Sequence, residues 1–154
     1  MKWLLLPMII LLLSSCSFFQ IEVPPDAYSV DTALQILENQ EYKLIDMKDV
    51  DQYKDVEMKG KVAVFESKTG NALLLYVHKG EDAKKVWKAI NKKSGFLSVR
   101  SILELPNMGK FSTVLNGKKI VAWWKKSWFF IAEGRNEVDE FVKHVYRVYG
   151  VLKE

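Results

Sequence analysis

Phe111-Ser112-Thr113-Val114-Leu115-Asn116-Gly117-Lys118-Lys119-Ile120-Val121-Ala122-Trp123-Trp124-Lys125-Lys126-Ser127-Trp128-Phe129-Phe130-Ile131-Ala132-Glu133 is the stretch whose reading decides the fold. Asn116-Gly117 is the strongest turn signal in the chain, because a two-residue hairpin turn of type I′ needs two residues that tolerate positive φ. It joins a strand over 111–115 to a partner over 118–124. Lys125-Lys126-Ser127 turns the chain again, and 128–133 completes a three-strand antiparallel meander. Ile120, Ala122 and Trp124 point one way and Val121 and Trp123 the other. Trp128, Phe130 and Ala132 likewise oppose Phe129 and Ile131. A sheet with one wet face alternates apolar and polar residues, and this hairpin does not. Either both faces are covered, or one presents an aromatic patch flanked by Lys118, Lys119, Lys125 and Lys126. Trp123, Trp124, Lys125, Lys126, Trp128 and Phe129 form the candidate binding patch, suited to a protein partner, a glycan or the membrane interface.

Upstream, residues 61–67 and 72–78 read as a hairpin around Lys68-Thr69-Gly70-Asn71. Gly80-Glu81-Asp82 opens a helix whose apolar stripe is Ala83, Val86, Trp87 and Ile90, with Gly95 as its stop. Residues 96–105 read as a strand closed by Pro106. Ser29 is the expected N-cap of a helix over 30–39, and residues 42–47 a short strand. Residues 48–60 are acidic and mixed, and read as a loop. Asn136 is the expected cap of a last helix carrying Val138, Phe141, Val142 and Val145, stopped by Gly150. The order is helix, strands, helix, strands, helix. It predicts an α+β domain with one antiparallel sheet of about 5–7 strands and helices packed mainly on one face. A hairpin followed by a helix recurs at 61–93 and 118–149, but the residues do not match as a repeat.

The chain begins Met1-Lys2, continues apolar from Trp3 to Leu13, and reaches Leu13-Ser14-Ser15-Cys16, the only cysteine. A positive head, an apolar run and small residues describe a secretory signal. The cysteine makes the segment resemble the lipobox of bacterial lipoproteins. That resemblance implies removal of 1–15 as signal peptide, a diacylglyceryl thioether on Cys16, and an acylated cysteine as the mature N-terminus. Trp3–Leu13 is far shorter than the roughly 20 residues a membrane-spanning helix needs. Several acyl chains, at about 0.8 kcal/mol per buried methylene, make a lasting anchor. Ser17 after the cysteine, rather than Asp, points to the outer membrane where the host is Gram-negative. Residues 16–28, with Pro24-Pro25, read as a tether, and 29–154 as one globular domain. Beyond the lipobox, the chain resembles only small uncharacterised lipoproteins of the cell envelope.

With its single cysteine acylated, the domain has no internal disulfide and relies on its core. Apolar residues make up 49% and aromatics 12% of the chain, which excludes a disordered segment. Residues 16–60 hold ten acidic and four basic side chains, and 61–154 hold nine acidic and eighteen basic. The small net positive charge does not argue for nucleic acid. The asymmetry suits either internal neutralisation or a basic part facing anionic headgroups or an acidic partner.

Chemistry is sparsely signalled. Glu140 and His144 share a helix face and supply at most two metal ligands; a solvated face with a local hydrogen bond explains the spacing equally. Cys16 is taken by lipid, no serine lies in a G-x-S-x-G turn, and no P-loop or dinucleotide fingerprint occurs. Asp46, Asp49, Asp51, Asp55 and Glu57 lack the EF-hand spacing. No catalytic residue, metal or cofactor is assigned. The expected function is a membrane-anchored envelope protein whose domain binds another envelope protein without catalysis. The alternative is a glycan or small-ligand module using the Trp/Lys hairpin, and the third choice an envelope enzyme.

Overall fold

A computed structural model of the chain describes residues 20–94 and 100–152. The expected signal peptide, Cys16 and residues 17–19 of the expected tether, Gly95 and the 96–99 start of the predicted strand lie outside the described residues. The elements are α1 (Val30–Gln35), β1 (Tyr42–Tyr53), β2 (Val56–Ser67), β3 (Ala72–Lys79), α2 (Ala83–Ser94), β4 (Arg100–Leu105), β5 (Met108–Leu115), β6 (Lys118–Lys125), β7 (Trp128–Gly134) and α3 (Val138–Val151). The seven strands form one sheet in the order β1-β2-β3-β7-β6-β5-β4. Every neighbouring pair is antiparallel. Two meanders thus meet at β3 and β7, and the domain is α+β as the turn signals predicted.

Both faces of the central strands are covered, which explains their continuous apolar run. β7 is buried at every position. On one face Val121, Trp123, Trp128, Phe130 and Ala132 pack with α1, α3 and the N-terminal residues Ile21 and Val23. On the other, Ile120, Ala122, Trp124, Phe129 and Ile131 pack with Ala83, Val86, Trp87 and Ile90 of α2. Two helices lie on one face and the third on the other. The recurring hairpin-helix units are therefore not related by a two-fold axis between the antiparallel strands β3 and β7. Such an axis would put α2 and α3 on the same face.

Gly109 shows how tightly the second face is packed. It pairs with Trp124 across β5 and β6. A Cβ there would stand 2.7 Å from the Trp124 indole nitrogen and 2.9 Å from the Trp87 ring. Only glycine lets both indoles close over the strand. Trp87 also donates its indole N–H to the Ala122 carbonyl at 3.0 Å, tying α2 to β6.

Three local expectations need correction. Residues 48–60 are not a loop: β1 and β2 run through them, joined by a tight turn at Lys54 (φ 44°) and Asp55 (φ 68°). The register shifts between Leu44 and Asp46 and again between Val50 and Gln52. Each bulge reverses which face the following residues meet. Tyr42, Leu44 and Met47 pack on the first face, and Val50 and Tyr53 on the second. Their spacing is therefore not the period of two that announces a strand. Five of the remaining positions of this edge strand are charged, Lys43, Asp46, Lys48, Asp49 and Asp51, which guards its open side.

Secondly, Asn136 does not cap α3. The N-cap is Glu137, held at φ 64° with no side-chain cap bond, and the helix runs through Gly150 to Val151. Thirdly, residues 20–28 are not a free tether. Ile21, Glu22 and Val23 are buried. Trp123 donates its indole N–H to the Glu22 carbonyl at 3.2 Å, and Lys125 donates to the Ile21 carbonyl at 3.3 Å. Lys79 donates to the carbonyls of Asp26 and Tyr28 at 2.5 and 2.7 Å. Apolar side chains at alternate positions made this segment a strap across the first face. The helix predicted over 30–39 ends at Gln35, because the Asn39 carboxamide accepts from the Glu41 and Tyr42 amides and turns the chain into β1. The Ser29 cap is present, accepting from the Thr32 amide at 3.1 Å.

Candidate functional site

The candidate aromatic patch is not at the surface. Trp123, Trp124, Trp128 and Phe129 are buried. Trp123 and Trp128 lie under the strap and α3, and Trp124 and Phe129 under α2. The lysines against these rings come from other elements: the Lys79 ammonium sits 4.8 Å from the Trp128 ring and that of Lys84 5.5 Å from Trp124. Only Lys125, half-buried, and Lys126, exposed at φ 55°, reach the outside. They border a hollow of about 600 Å³ with Pro24, Pro25 and Asp26 of the strap.

The two histidines are structural. His144 is buried, and its Nε2–H donates to the Leu37 carbonyl at 2.7 Å, fastening α1 to α3. It also packs 4.8 Å from the Tyr42 ring. Glu140 is exposed. No three His, Cys, Asp or Glu side chains converge on a metal position among the described residues. His78 faces two acceptors, the Lys59 carbonyl at Nδ1 and the Asp82 carboxylate at Nε2, both at 2.7 Å. The contact holds Asp82 below the usual carboxylate range, chiefly through the His78 hydrogen bond. It joins β2 and β3 to the start of α2.

The most site-like feature is a basic groove of about 660 Å³ on the first face, where the sheet extends beyond α3. Its floor carries Ser101 of β4, Lys110 and Ser112 of β5, and Lys119 and Val121 of β6. Its wall carries Asp139, Val142, Lys143, Tyr146 and Arg147 of α3, and Gln20 stands at its rim. The antiparallel register fixes the floor: Ser101 pairs with Ser112, and Ser112 with Val121. Asp139, Lys143 and Arg147 recur at intervals of four along α3 and so share its outer side.

Among the described residues, four cations and one carboxylate line this groove. Asp139 is taken by Lys119 at 2.5 Å. The Lys110 ammonium lies 4.9 Å from the Tyr146 ring centre, a cation–π contact. Burial pushes Lys110 below the ordinary lysine range; Asp139 opposes that shift and Lys119 reinforces it. The Tyr146 ring packs edge-on against Trp123 at 5.1 Å, so the groove wall continues into the core. Burial holds the Tyr146 phenol far above its usual range, with the Glu22 carboxylate adding to the effect.

Residues 25–152 match the family described as "Protein of unknown function (DUF3242)". The chain belongs to this family. The DUF3242 match begins downstream of Cys16 and covers nearly all of the described domain. The chain is also similar to a protein of Thermotoga maritima whose crystal structure is described as that of a GTP binding regulator. The two are 64% identical, with a TM-score of 0.80, over 85% of this chain and 94% of the other. No curated protein matches the chain.

In this DUF3242 protein the groove was missed by sequence reading for a geometric reason. Its cations come from β5, β6 and α3, and each looks alone like an ordinary solvated lysine or arginine. Lys110 gave no signal either: it falls on the less buried alternation of β5, opposite the buried Gly109, Phe111 and Thr113.

Proposed function

We propose that this chain is a lipid-anchored protein of the cell envelope whose domain works by binding an envelope component, not by catalysis. Support comes from the lipobox Leu13-Ser14-Ser15-Cys16 together with the docked strap. Residues 21–23 are buried against the domain, and Gln20 lines the groove. Cys16 lies four steps of chain before Gln20, which reach at most about 14 Å. An acyl chain on Cys16 therefore keeps the domain against the bilayer, with the groove on the near side. Ser17 favours the outer membrane in a Gram-negative host. Among the described residues, no helix is long and apolar enough to cross a membrane.

The test is intact-mass analysis of the protein from its native cells, with fractionation of wild type and Cys16→Ser. Acyl mass on Cys16, and loss of the membrane-bound form in Cys16→Ser, are the expected results. A mature protein without acyl mass rejects the anchor. Crosslinking in the same cells separates the partner classes. A discrete protein adduct that depends on Cys16 supports a protein partner. Absence of any adduct favours the glycan or small-ligand alternative, with Lys125 and Lys126 beside the strap hollow as its contact.

A second reading rests on the relative. A protein 64% identical is described as a GTP binding regulator, and the four cations of the groove suit phosphate. The chain has no P-loop, so such binding would use side-chain cations and not a glycine-rich backbone cradle. Saturable binding of GTP to the purified protein, abolished by substitutions in the groove, is the result that would establish it.

A further inference from the structure

We propose that the groove between α3 and strands β4–β6 binds the phosphate of an anionic phospholipid headgroup, so that the domain reads the surface of the membrane that holds it. The cations come from three elements and converge on one hollow: Lys110 from β5, Lys119 from β6, and Lys143 and Arg147 from α3. Asp139, the only carboxylate lining it among the described residues, is already engaged by Lys119. Lys110 has no carboxylate partner among the described residues and is half-buried over the Tyr146 ring. Asp139 acts on Lys110 through its charge while paired to Lys119, so an anion entering the groove adds a direct countercharge to that ammonium. Ser101 and Ser112 stand beside it as hydroxyl donors, and Arg147 offers the planar fork that suits phosphate oxygens.

The choice of a headgroup over a soluble phosphate rests on the lipid-anchor reading. Gln20 lines the groove, and Cys16 lies four residues before it. The groove is thus the part of the domain that the anchor brings to the bilayer. Juxtamembrane lysines and arginines each favour an anionic surface by about 1 kcal/mol, within a Debye length. The exposed lysines of α2 lie on the opposite face of the sheet. They provide a control of equal charge.

The experiment uses the full chain in a Cys16→Ser background, so that no acyl group dominates partitioning. Binding is measured to vesicles of phosphatidylcholine alone and of phosphatidylcholine with phosphatidylglycerol. The readout is the ratio of the two partition coefficients, which cancels the contribution of the apolar N-terminal run. Lys143→Gln/Arg147→Gln should lower that ratio about thirty-fold, two cations at the stated value each. Lys85→Gln/Lys92→Gln, the same charge change on α2, should lower it less than about twofold. Lys143 and Arg147 are exposed, so their substitution leaves the core intact, and circular dichroism checks the fold. Equal losses in the two double variants mean non-specific attraction and overturn the proposal, as does a wild-type ratio near one. GTP and inorganic phosphate are titrated in parallel by calorimetry. Saturable GTP binding that Lys143→Gln/Arg147→Gln abolishes, with no preference for phosphatidylglycerol, moves the site to a soluble phosphate and overturns the headgroup. Acyl mass on Cys16 is read separately, so failure of the anchor and failure of the groove are told apart.

Discussion

Trp123 and Glu22 are joined by a hydrogen bond of 3.2 Å from indole N–H to main-chain carbonyl, across 101 residues of sequence. Because the indole lies inside the core, the N-terminal strap is held from within the fold and not merely laid upon it. The placement of the N-terminal segment on the domain depends on this bond and on the burial of Ile21 and Val23.

Truncation of Ile21 tests the strap directly. Ile21 is 3% exposed, and removing a buried isoleucine side chain costs about 2–5 kcal/mol. Ile21→Ala should lower the denaturation midpoint accordingly and open residues 20–28 to limited proteolysis. Unchanged stability together with unchanged protease resistance would show that the strap contributes nothing.

Tyr53 at the tip of the first hairpin donates its hydroxyl to the Glu133 carboxyl at 2.9 Å, both groups buried. Burial, then the Glu133 charge and hydrogen bond, holds the Tyr53 phenol far above its usual range. A tyrosine whose folded pKa is raised gives stability that is fully present below about pH 10 and lost as pH rises beyond it. Tyr53→Phe should cost about 1–3 kcal/mol at neutral pH by leaving Glu133 without this donor. The gap between wild type and variant should narrow above pH 10, as measured by urea denaturation. A gap that stays constant with pH excludes the linkage.

How much of this was readable in the residues depends on regularity. Asn116 and Gly117 take φ values of 52° and 77°, the turn that their identities predict. The stripes of α2 and α3 are buried where the helical period puts them. β1 was unreadable because each of its two bulges leaves residues three apart on the same face, Leu44 and Met47 on the first and Val50 and Tyr53 on the second, so the inward residues fall at intervals of three. The aromatic hairpin was ambiguous in principle, since an apolar double face describes a central strand and an exposed patch alike. What separated the two was the strap and α2, whose packing no local pattern reveals. The groove depends on three elements meeting, and the spacing of its lysines carries no trace of that.

The Lys54-Asp55 turn offers a stabilising change. Both residues sit at positive φ, which burdens a side-chain-bearing residue by about 1–2 kcal/mol, and glycine avoids that strain. Glycine also frees the unfolded chain, which returns about 0.4–1 kcal/mol. Asp55→Gly should therefore raise stability by up to about 1 kcal/mol, seen as a higher urea midpoint with an unchanged slope. A lower midpoint would mean that the Asp55 side chain makes a contribution larger than the strain.

Glu137 combines strain with a polar anchor, and its pH dependence should show which dominates. It holds φ 64° at the start of α3. Its Oε2 accepts from Ser67 Oγ at 2.6 Å, Thr69 Oγ1 at 2.7 Å and Asn71 Nδ2 at 2.6 Å, clasping the β2–β3 turn. The Ser67 bond, followed by those of Asn71 and Thr69, holds the carboxyl below the usual glutamate range. A depressed carboxyl gives stability that is present above about pH 4.3 and lost as pH falls through the lower folded value. Glu137→Gln keeps the backbone strain but replaces the charged acceptor with a neutral one. It should be less stable than wild type at pH 7, and the difference should shrink steadily below about pH 4 as the wild-type carboxyl takes up its proton. Glu137→Gly removes both the strain and the clasp. If the clasp outweighs the strain, the glycine variant is also the less stable at pH 7 and becomes the more stable in acid, a crossing that thermal melts across the acid range would resolve. Two melting curves that stay parallel from pH 7 to acid would remove Glu137 from the acid limb and leave it only a strained cap.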